Sequence, residues 1–308
     1  MSIIFELESP FRKPYQLHRL IFGQGDPIVA IVAGLHGNEL NGIHALNLLA
    51  SALQMQKLSG TVMLFPLVNS FGADECEKRW PFDDSDINKS FPGDPTGTPS
   101  ERIAFALMTA TEEASICVDV HSGAAHIREY PQVRAPLSGR ELELARSMNL
   151  PVIWRRAEEH INSSGLTGAW RMREQLALHV VGGRGITLDN RLATKMAGGL
   201  TSLLTATGVM STTTNMTTMV DVTSREVDVY RAGCGGFFVP EVRVGDSVQE
   251  GRLLGSIQSP IGGSRLLEVR SAHSGMVISL RANPMIYRNE LLVRVARKTA
   301  LGGSMHRH

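Results

Sequence analysis

Two histidines and a glutamate in this sequence have the residue types and the placement of a metal site. His36 and Glu39 are three residues apart and follow the apolar run 27–33, which is typical of a buried strand. His121 likewise ends the apolar segment 116–121. Ligands of open α/β sheets bind just outside the carboxyl ends of strands. Two imidazoles and one carboxylate there are typical of a catalytic zinc that keeps a fourth position for water.

Each of these residues also has an ordinary structural explanation. The pattern H-x-x-E is common, and a surface histidine beside a glutamate at a helix start would produce it. A histidine such as His121 can be a hydrogen-bonded polar residue at a sheet edge. Chance is a weaker explanation for all three residues standing at strand ends. Asp119 shares a strand face with His121, so it either orients that imidazole or is a buried acid paired elsewhere.

The elements around these residues predict an α/β fold. Long apolar runs alternate with helical patterns, and a proline-rich loop at 70–99 interrupts them, as functional loops of that length often do. Further strands are predicted at 61–69, 116–121 and 185–189, and helices at about 43–57, from 100, at 142–148, within 163–178 and through 200–204. We therefore expect a mixed sheet of the zinc carboxypeptidase-like type, with helices on both faces.

The sequence changes character after residue 226. Short alternating segments bounded by Gly, Asp, Asn or Pro predict a small all-β, barrel-like domain. The predicted organisation is an α/β catalytic domain at 1–210, a Thr-rich linker at 211–222, a β-module at 223–300 and a flexible tail at 301–308.

Composition excludes several classes of protein. The 308 residues carry a net charge of +1, so there is no electrostatic footprint for nucleic acid or an acidic membrane. No apolar run approaches the length of a membrane span, and the N-terminus lacks a signal-peptide pattern. Three widely spaced cysteines argue against a disulfide framework and favour the cytoplasm.

Several motifs, in this order, resemble the succinylglutamate desuccinylase/aspartoacylase family, which is related to the zinc carboxypeptidases. The motifs are HGNE at 36–39, Asn69 after a strand, Arg79, DINKSFPG at 86–93 and DVHSG at 119–123. They cover most of residues 27–208. The segment 235–290 is similar to the β-module of some members, which include deacylases of N-acetylated amino acids.

The resemblance implies a zinc-dependent amidohydrolase with one Zn²⁺ per chain, bound by His36, Glu39 and His121. Arg79 would polarise the scissile carbonyl and stabilise the oxyanion. Asn88 and Lys89 would hold a carboxylate of a small-molecule substrate. Chemistry agrees, since amide hydrolysis needs a water of lowered pKa, a cation at the oxyanion and an anchor for the substrate.

Two positions depart from the family pattern. Lys89 stands where the family has Arg, and a lysine offers a point charge instead of a planar fork. Asp189 ends a Thr-x-Asp motif where the family has Thr-x-Glu and uses the glutamate as general base. We predict that Asp189 is the base and acts through a side chain shorter than that of glutamate. The alternatives are Glu158 or Glu174 as base, or weak activity.

The β-module suggests two further interpretations. It resembles a biotinyl or lipoyl carrier barrel, but no lysine occurs between Lys195 and Lys298, which argues against a swinging arm. Covering the active-site mouth or forming a homo-oligomer fits better. By resemblance, Tyr287 reaches the substrate; packing in the core is the alternative.

Three functions follow from the sequence. The first is a zinc hydrolase that cleaves the amide bond of an N-acylated amino acid or related small amine. The second is a zinc carboxypeptidase acting on small peptides or peptidoglycan fragments. The third is a catalytically weakened metal- or ligand-binding homologue, suggested by Asp189 and Lys89.

Overall fold

The computed structural model describes residues 1–157, 165–213 and 218–298. The predicted tail at 301–308 and the candidate base Glu158 lie outside these ranges. The strands before residue 224 are β1 (Ser2–Leu7), β2 (Tyr15–Gly23), β3 (Ile28–Ala33), β4 (Thr61–Phe65), β5 (Ile116–His121), β6 (Ile127–Ala135), β7 (Val152–Arg155), β8 (Leu176–Gly183) and β9 (Val220–Thr223). The helices are α1 (Leu40–Leu53), α2 (Ser70–Asp74), α3 (Pro99–Ala110), α4 (Arg140–Ser147), α5 (Leu166–Met172) and α6 (Asn190–Ala206).

Four parallel strands form the centre of the main sheet, in the order β4-β3-β5-β8. β3 and β5 are apolar nearly throughout, because helices cover both faces of the sheet. β2 and β6 add antiparallel strands on either side. Because β3 and β5 are parallel neighbours, their carboxyl ends lie at the same edge, and the residues that follow them meet there.

Helices pack on both faces of this sheet. One hydrophobic core joins the strands to α1, α4 and α6, and a second core joins the opposite face to α3 and α5. Capping fixes some of the helix starts: α3 begins with a capping box formed by Thr98 and Glu101. In the described part of the chain, no helix has the length and apolar character that crossing a bilayer requires. The predicted mixed sheet with helices on both faces is confirmed.

The C-terminal strands extend the main sheet and also form a second one. They are β10 (Val227–Arg231), β11 (Gly236–Pro240), β12 (Ser247–Val248), β13 (Leu253–Gln258), β14 (Arg265–Arg270), β15 (Gly275–Arg281), β16 (Met285–Ile286) and β17 (Leu291–Arg297). β15 pairs with β6, and β17 and β10 follow it, so that the main sheet has 13 strands. The second sheet has the order β14-β13-β11-β16. The C-terminal region is thus rich in β-structure, as predicted, but part of it continues the α/β sheet.

Three local predictions were wrong. Residues 185–189 are not a strand, since β8 ends at Gly183. β6 and β7 were not among the predicted strands, because β6 carries charged residues and Pro131 in place of a long apolar run. β9 begins inside the predicted linker and pairs with β7. For β6, β7 and β9, pairing with a neighbouring strand outweighs the local pattern, whereas residues 185–189 lead to the N-cap of α6.

Ile278→Ala tests whether the C-terminal strands unfold with the α/β sheet. Ile278 on β15 is fully buried in a core that includes Val152 and Trp154 of β7. Its truncation should cost about 2–5 kcal/mol of unfolding free energy. We expect one cooperative transition that shifts as a whole in denaturant unfolding. Ile261→Ala, at an exposed position, is the control and should stay within about 0.5 kcal/mol. Two transitions, of which one alone moves, would contradict this prediction.

Candidate active site

The turn between β3 and α1 positions His36 and Glu39. Gly34, directly after β3, has a φ of +68°, which lets the chain leave the sheet sharply. The Glu39 N–H donates to the His36 carbonyl, and Glu39 is the N-cap residue of α1. A Cβ on Gly37 would lie 2.1 Å from the backbone of Gly72 in α2, so this turn requires a glycine. The HGNE sequence therefore encodes both the ligands and the turn that presents them.

His36, Glu39 and His121 converge on one point. Glu39 Oε1 lies 2.8 Å from His36 Nδ1, and Glu39 Oε2 lies 2.8 Å from His121 Nδ1. All three residues are buried, and one potential ligand atom from each lies within 4.8 Å of the others. Ser122 donates its backbone N–H to Glu39 Oε2 at 2.8 Å. This group, called the metal site below, could hold one ion.

A second carboxylate orients each imidazole from its far side. His36 Nε2 lies 3.1 Å from Asp86 Oδ1, and His121 Nε2 lies 2.8 Å from Asp119 Oδ2. Carboxylates in this position are typical of metal-bound histidines, because they fix the ring and its tautomer. Of the two interpretations of Asp119, the structure therefore favours the orienting one.

The charges of the metal site depend on one another. Burial alone would raise the pKa of Glu39, but His121 and His36 outweigh it and hold that pKa well below its usual range. Burial alone would lower the pKa of His36, but hydrogen bonds to Asp86 and Glu39 raise it. The pKa of His121 is raised well above its ordinary value because Asp119 and Glu39 outweigh burial. The site thus favours positive charge between its carboxylates.

A cavity of about 460 Å³ opens above the metal site. Its floor follows from backbone register, because residues two apart on a strand share a face. Arg134, His179 and Asp119 form one row across β6, β8 and β5, and Gln132, Val181 and His121 form the next row. The His179 ring stacks on His121 with 4.9 Å between centroids. Burial, His121 and Arg134 together keep the pKa of His179 well below its usual value, which favours the neutral imidazole.

The residues predicted from the family pattern are only partly gathered here. Asn88 lines the cavity, and its side-chain oxygen accepts the Leu166 N–H at 3.0 Å. Arg79 lines a separate cavity, where it is 2.5 Å from Asp84. Lys89 and Tyr287 are exposed and are not among the residues that line the metal-site cavity. Catalytic or anchoring roles for Arg79, Lys89 and Tyr287 therefore have no support from the geometry.

Asp189 has a different position from the one predicted. It is the N-cap of α6 and accepts the Leu192 N–H at 3.2 Å, while its own N–H donates to Asn41. The cavity lining does not include it. The strand that should have carried a base presents His179 and Val181 to the cavity. The alternative base Glu174 is exposed at the turn before β8, at the opposite end of that strand.

Sequence reasoning missed several residues of the cavity. They include Glu129 and Arg134 on β6, His179 on β8, and Arg281, Glu290 and Arg294 near the C-terminus. The signal for β6 is weak, because charged residues and Pro131 interrupt its apolar pattern. None existed for the C-terminal residues, since the pairing of β15 with β6 joins positions about 150 residues apart.

Comparison with known proteins identifies relatives. The sequence model of the succinylglutamate desuccinylase/aspartoacylase catalytic domain matches residues 26–205, more than half of the chain. One curated relative is the N-alpha-acetyl-L-2,4-diaminobutyric acid deacetylase of Halomonas elongata. The two are 34% identical over 102 residues, which is 33% of this chain and 30% of that protein. The match thus spans less than a third of that relative's length.

Solved structures share the fold over nearly the whole chain. A succinylglutamate desuccinylase from Silicibacter sp. TM1040 has a TM-score of 0.78 and 23% identity, covering 96% of this chain and 94% of that one. The product-bound ectoine utilization protein from Ruegeria pomeroyi has a TM-score of 0.76 and 22% identity, covering 92% and 90%. At these identities the likeness extends to the fold, including its C-terminal β-region.

Substitutions of Asp189 separate a helix cap from a general base. Asp189→Asn keeps a good cap, so stability should be unchanged. Asp189→Ala should lose about 1 kcal/mol of unfolding free energy. Neither variant should lower the hydrolysis rate by more than a few fold once the protein is folded. A fall of roughly 10²–10⁴-fold in kcat for Asp189→Asn, with stability intact, would restore Asp189 as the base.

Proposed function

Because the chain belongs to the succinylglutamate desuccinylase/aspartoacylase family, we propose that it is a zinc-dependent hydrolase of an N-acylated amino acid or related small amine. The observation that carries the proposal is the metal site itself. Three buried donor side chains converge there, and a further carboxylate holds each imidazole. The family supports the reaction class, and the geometry supports a metal-dependent form of it.

The donor set fits zinc. Two imidazole nitrogens and one carboxylate are the ligands of many catalytic zinc sites. Asp86 and Asp119 occupy the far nitrogens, so both histidines would offer Nδ1 to the ion. When bound, zinc would supply a Lewis acid and a water of lowered pKa. His36, Glu39 and His121 hold the ion in this proposal, and Ser122 N–H fixes the Glu39 carboxylate.

The cavity favours a small substrate. Its volume of about 460 Å³ is in the range of small-molecule sites. A carboxypeptidase acting on small peptides or peptidoglycan fragments remains the second candidate of this chemistry, and an extended peptide would need more room. The three free cysteines support our placement of the reaction in the cytoplasm, where thiols stay reduced.

The proton acceptor distinguishes hydrolysis from simple binding. A carboxylate normally takes the proton of the attacking water. Within the described ranges, the carboxylates that line the cavity besides Glu39 are Glu129 and Glu290. Glu290 is bound to Arg281 and to the Tyr287 N–H, and Glu129 is bound to Ser279 and Arg294. On β8, the residue beside His121 is Val181, which is apolar and cannot accept a proton. This observation favours the third candidate, a metal-binding homologue with weakened catalysis.

Metal analysis tests the site directly. We expect about one zinc per chain in the purified protein, as a three-ligand site implies. His121→Ala should lose most of it, because one donor of three is removed. His44→Ala is the matched control: His44 lies on α1, hydrogen-bonded to Asn190, and should leave the zinc content unchanged. Equal zinc content in His121→Ala and the native protein would refute the assignment.

A hydrolysis screen tests the reaction. The zinc-loaded protein is offered N-acetyl and N-succinyl amino acids, N-acetylated diamines and short unblocked peptides, and the free amine is measured. We expect release from N-acyl amino acids and little from peptides, because of the cavity volume. Turnover confined to peptides would favour the carboxypeptidase. Retained zinc without turnover of any compound would favour the weakened homologue.

A further inference from the structure

One side of the cavity holds more positive charge than its protein partners neutralise. Arg134 on β6, Arg294 on β17 and Arg156 after β7 surround the indole of Trp154; we call these three residues the arginine cluster. Their guanidinium carbons lie 5.9, 5.4 and 5.5 Å from the ring centre. Stacking on an aromatic ring holds a guanidinium in place and leaves its edge free for hydrogen bonds. Arg134 and Arg294 line the cavity.

Among the described residues, Glu129 is the one carboxylate that pairs with this cluster. Glu129 Oε1 lies 3.3 Å from Arg294 Nη1 and 3.9 Å from Arg134 Nη2. Across residues 1–157, 165–213 and 218–298, no other carboxylate forms an ion pair with the three arginines. Arginine does not lose its proton in proteins, so two of the three positive charges have no carboxylate partner among the described residues. Burial lowers the pKa of Arg134, and its neighbours Arg156 and Arg294 lower it further, which reflects the same crowding.

The arginine cluster also has incomplete hydrogen bonding. The buried Nε atoms of Arg134 and Arg156 have no partner among the described residues. Arg281, the third arginine lining the cavity, differs in this respect. Its guanidinium is bound to the carbonyls of Asn283 and Met285 and to Glu290. Arg281 therefore has a structural explanation, and the arginine cluster does not.

The cluster lies within reach of the metal site. Arg134 shares a row with His179 and Asp119, two strand spacings from β5, which is roughly 10 Å. An arginine side chain spans much of that distance. A substrate bound at the metal site by its amide would therefore place a group a few bonds away beside Arg134 and Arg294.

Resting on the proposed function, we propose that Arg134 and Arg294 bind a carboxylate of the substrate, in place of the Lys89 anchor predicted from the family pattern. The substrate class is then an amide with an anionic group near the scissile bond. That group belongs either to the amino-acid part or to a dicarboxylic acyl part. Glu129 sets the strength of the site, because it neutralises one of its charges.

Matched substrates test the assignment. An N-acetyl amino acid is compared with its neutral carboxamide, and an N-succinyl alkylamine with the corresponding succinamide derivative. In Arg294→Gln and Arg134→Gln, KM should rise roughly 10- to 100-fold for the substrates with a carboxylate and little for the neutral ones. The pair that shows the effect tells which part of the substrate carries the anion. An unchanged preference for the carboxylate in both variants would overturn the proposal.

Three further variants separate binding from folding. Glu129→Gln removes the neutralising charge, so KM for the same substrates should fall, opposite to the arginine variants. Arg252→Gln, an exposed arginine outside the cavity, should leave KM unchanged. Lys89→Gln addresses the competing anchor and should also leave KM unchanged. Increases in KM for Glu129→Gln as large as those of the arginine variants would indicate a structural role only, and an increase confined to Lys89→Gln would restore Lys89.

Binding of succinate, followed by calorimetry, keeps this test independent of turnover. Succinate should bind the native protein and bind Arg294→Gln roughly 10-fold or more weakly, with zinc content equal in both. Arginine-dependent binding without hydrolysis of any compound would refute the proposed function and support the anion site. Hydrolysis without a preference for anionic substrates, and without succinate binding, would support the proposed function and refute the anion site.

Discussion

The arrangement of this site depends on the buried carboxylate of Glu39. A charge that is removed from water is costly unless it is paired and hydrogen-bonded. Glu39 meets that condition through His36, His121 and the Ser122 N–H. Its place at the N-cap of α1 adds the favourable field of a helix N-terminus. The turn after β3, the end of β5 and the start of α1 must all be correctly placed, because otherwise the buried carboxylate would lose its partners.

Carboxylates and imidazoles alternate on both sides of Glu39. Asp86, His36, Glu39, His121 and Asp119 follow one another, each in contact with the next. Both imidazoles stand between two carboxylates. The negative charges of the carboxylates are therefore balanced only when positive charge lies between them. Asp86 belongs to the 3-10 helix Ile87–Lys89 as its N-cap, and this ties the long loop to the site. In the DINK motif, Asp86 contacts His36 and Asn88 lines the cavity, whereas Lys89 is exposed.

The contrast between the predicted and observed residues has a physical cause. His36, Glu39 and His121 could be predicted because each follows an apolar run in a parallel sheet, and such strands end at one edge. Asp189 could not be placed, because the Thr-x-Asp motif lies beyond the end of β8 and begins a helix. Arg79 and Lys89 sit in a loop without periodicity, where sequence does not tell which side faces the cavity. Glu129 and Arg294 are adjacent only because β15 and β17 continue the sheet past β6.

The extension of the main sheet has a consequence for how the protein matures. The metal site uses residues 36–121, whereas Arg294 joins its cavity from a strand more than 170 positions later in the chain. Closing so long a loop is entropically costly and slow. The cavity wall that carries Arg294 is therefore complete only once β15 and β17 have joined the sheet beside β6.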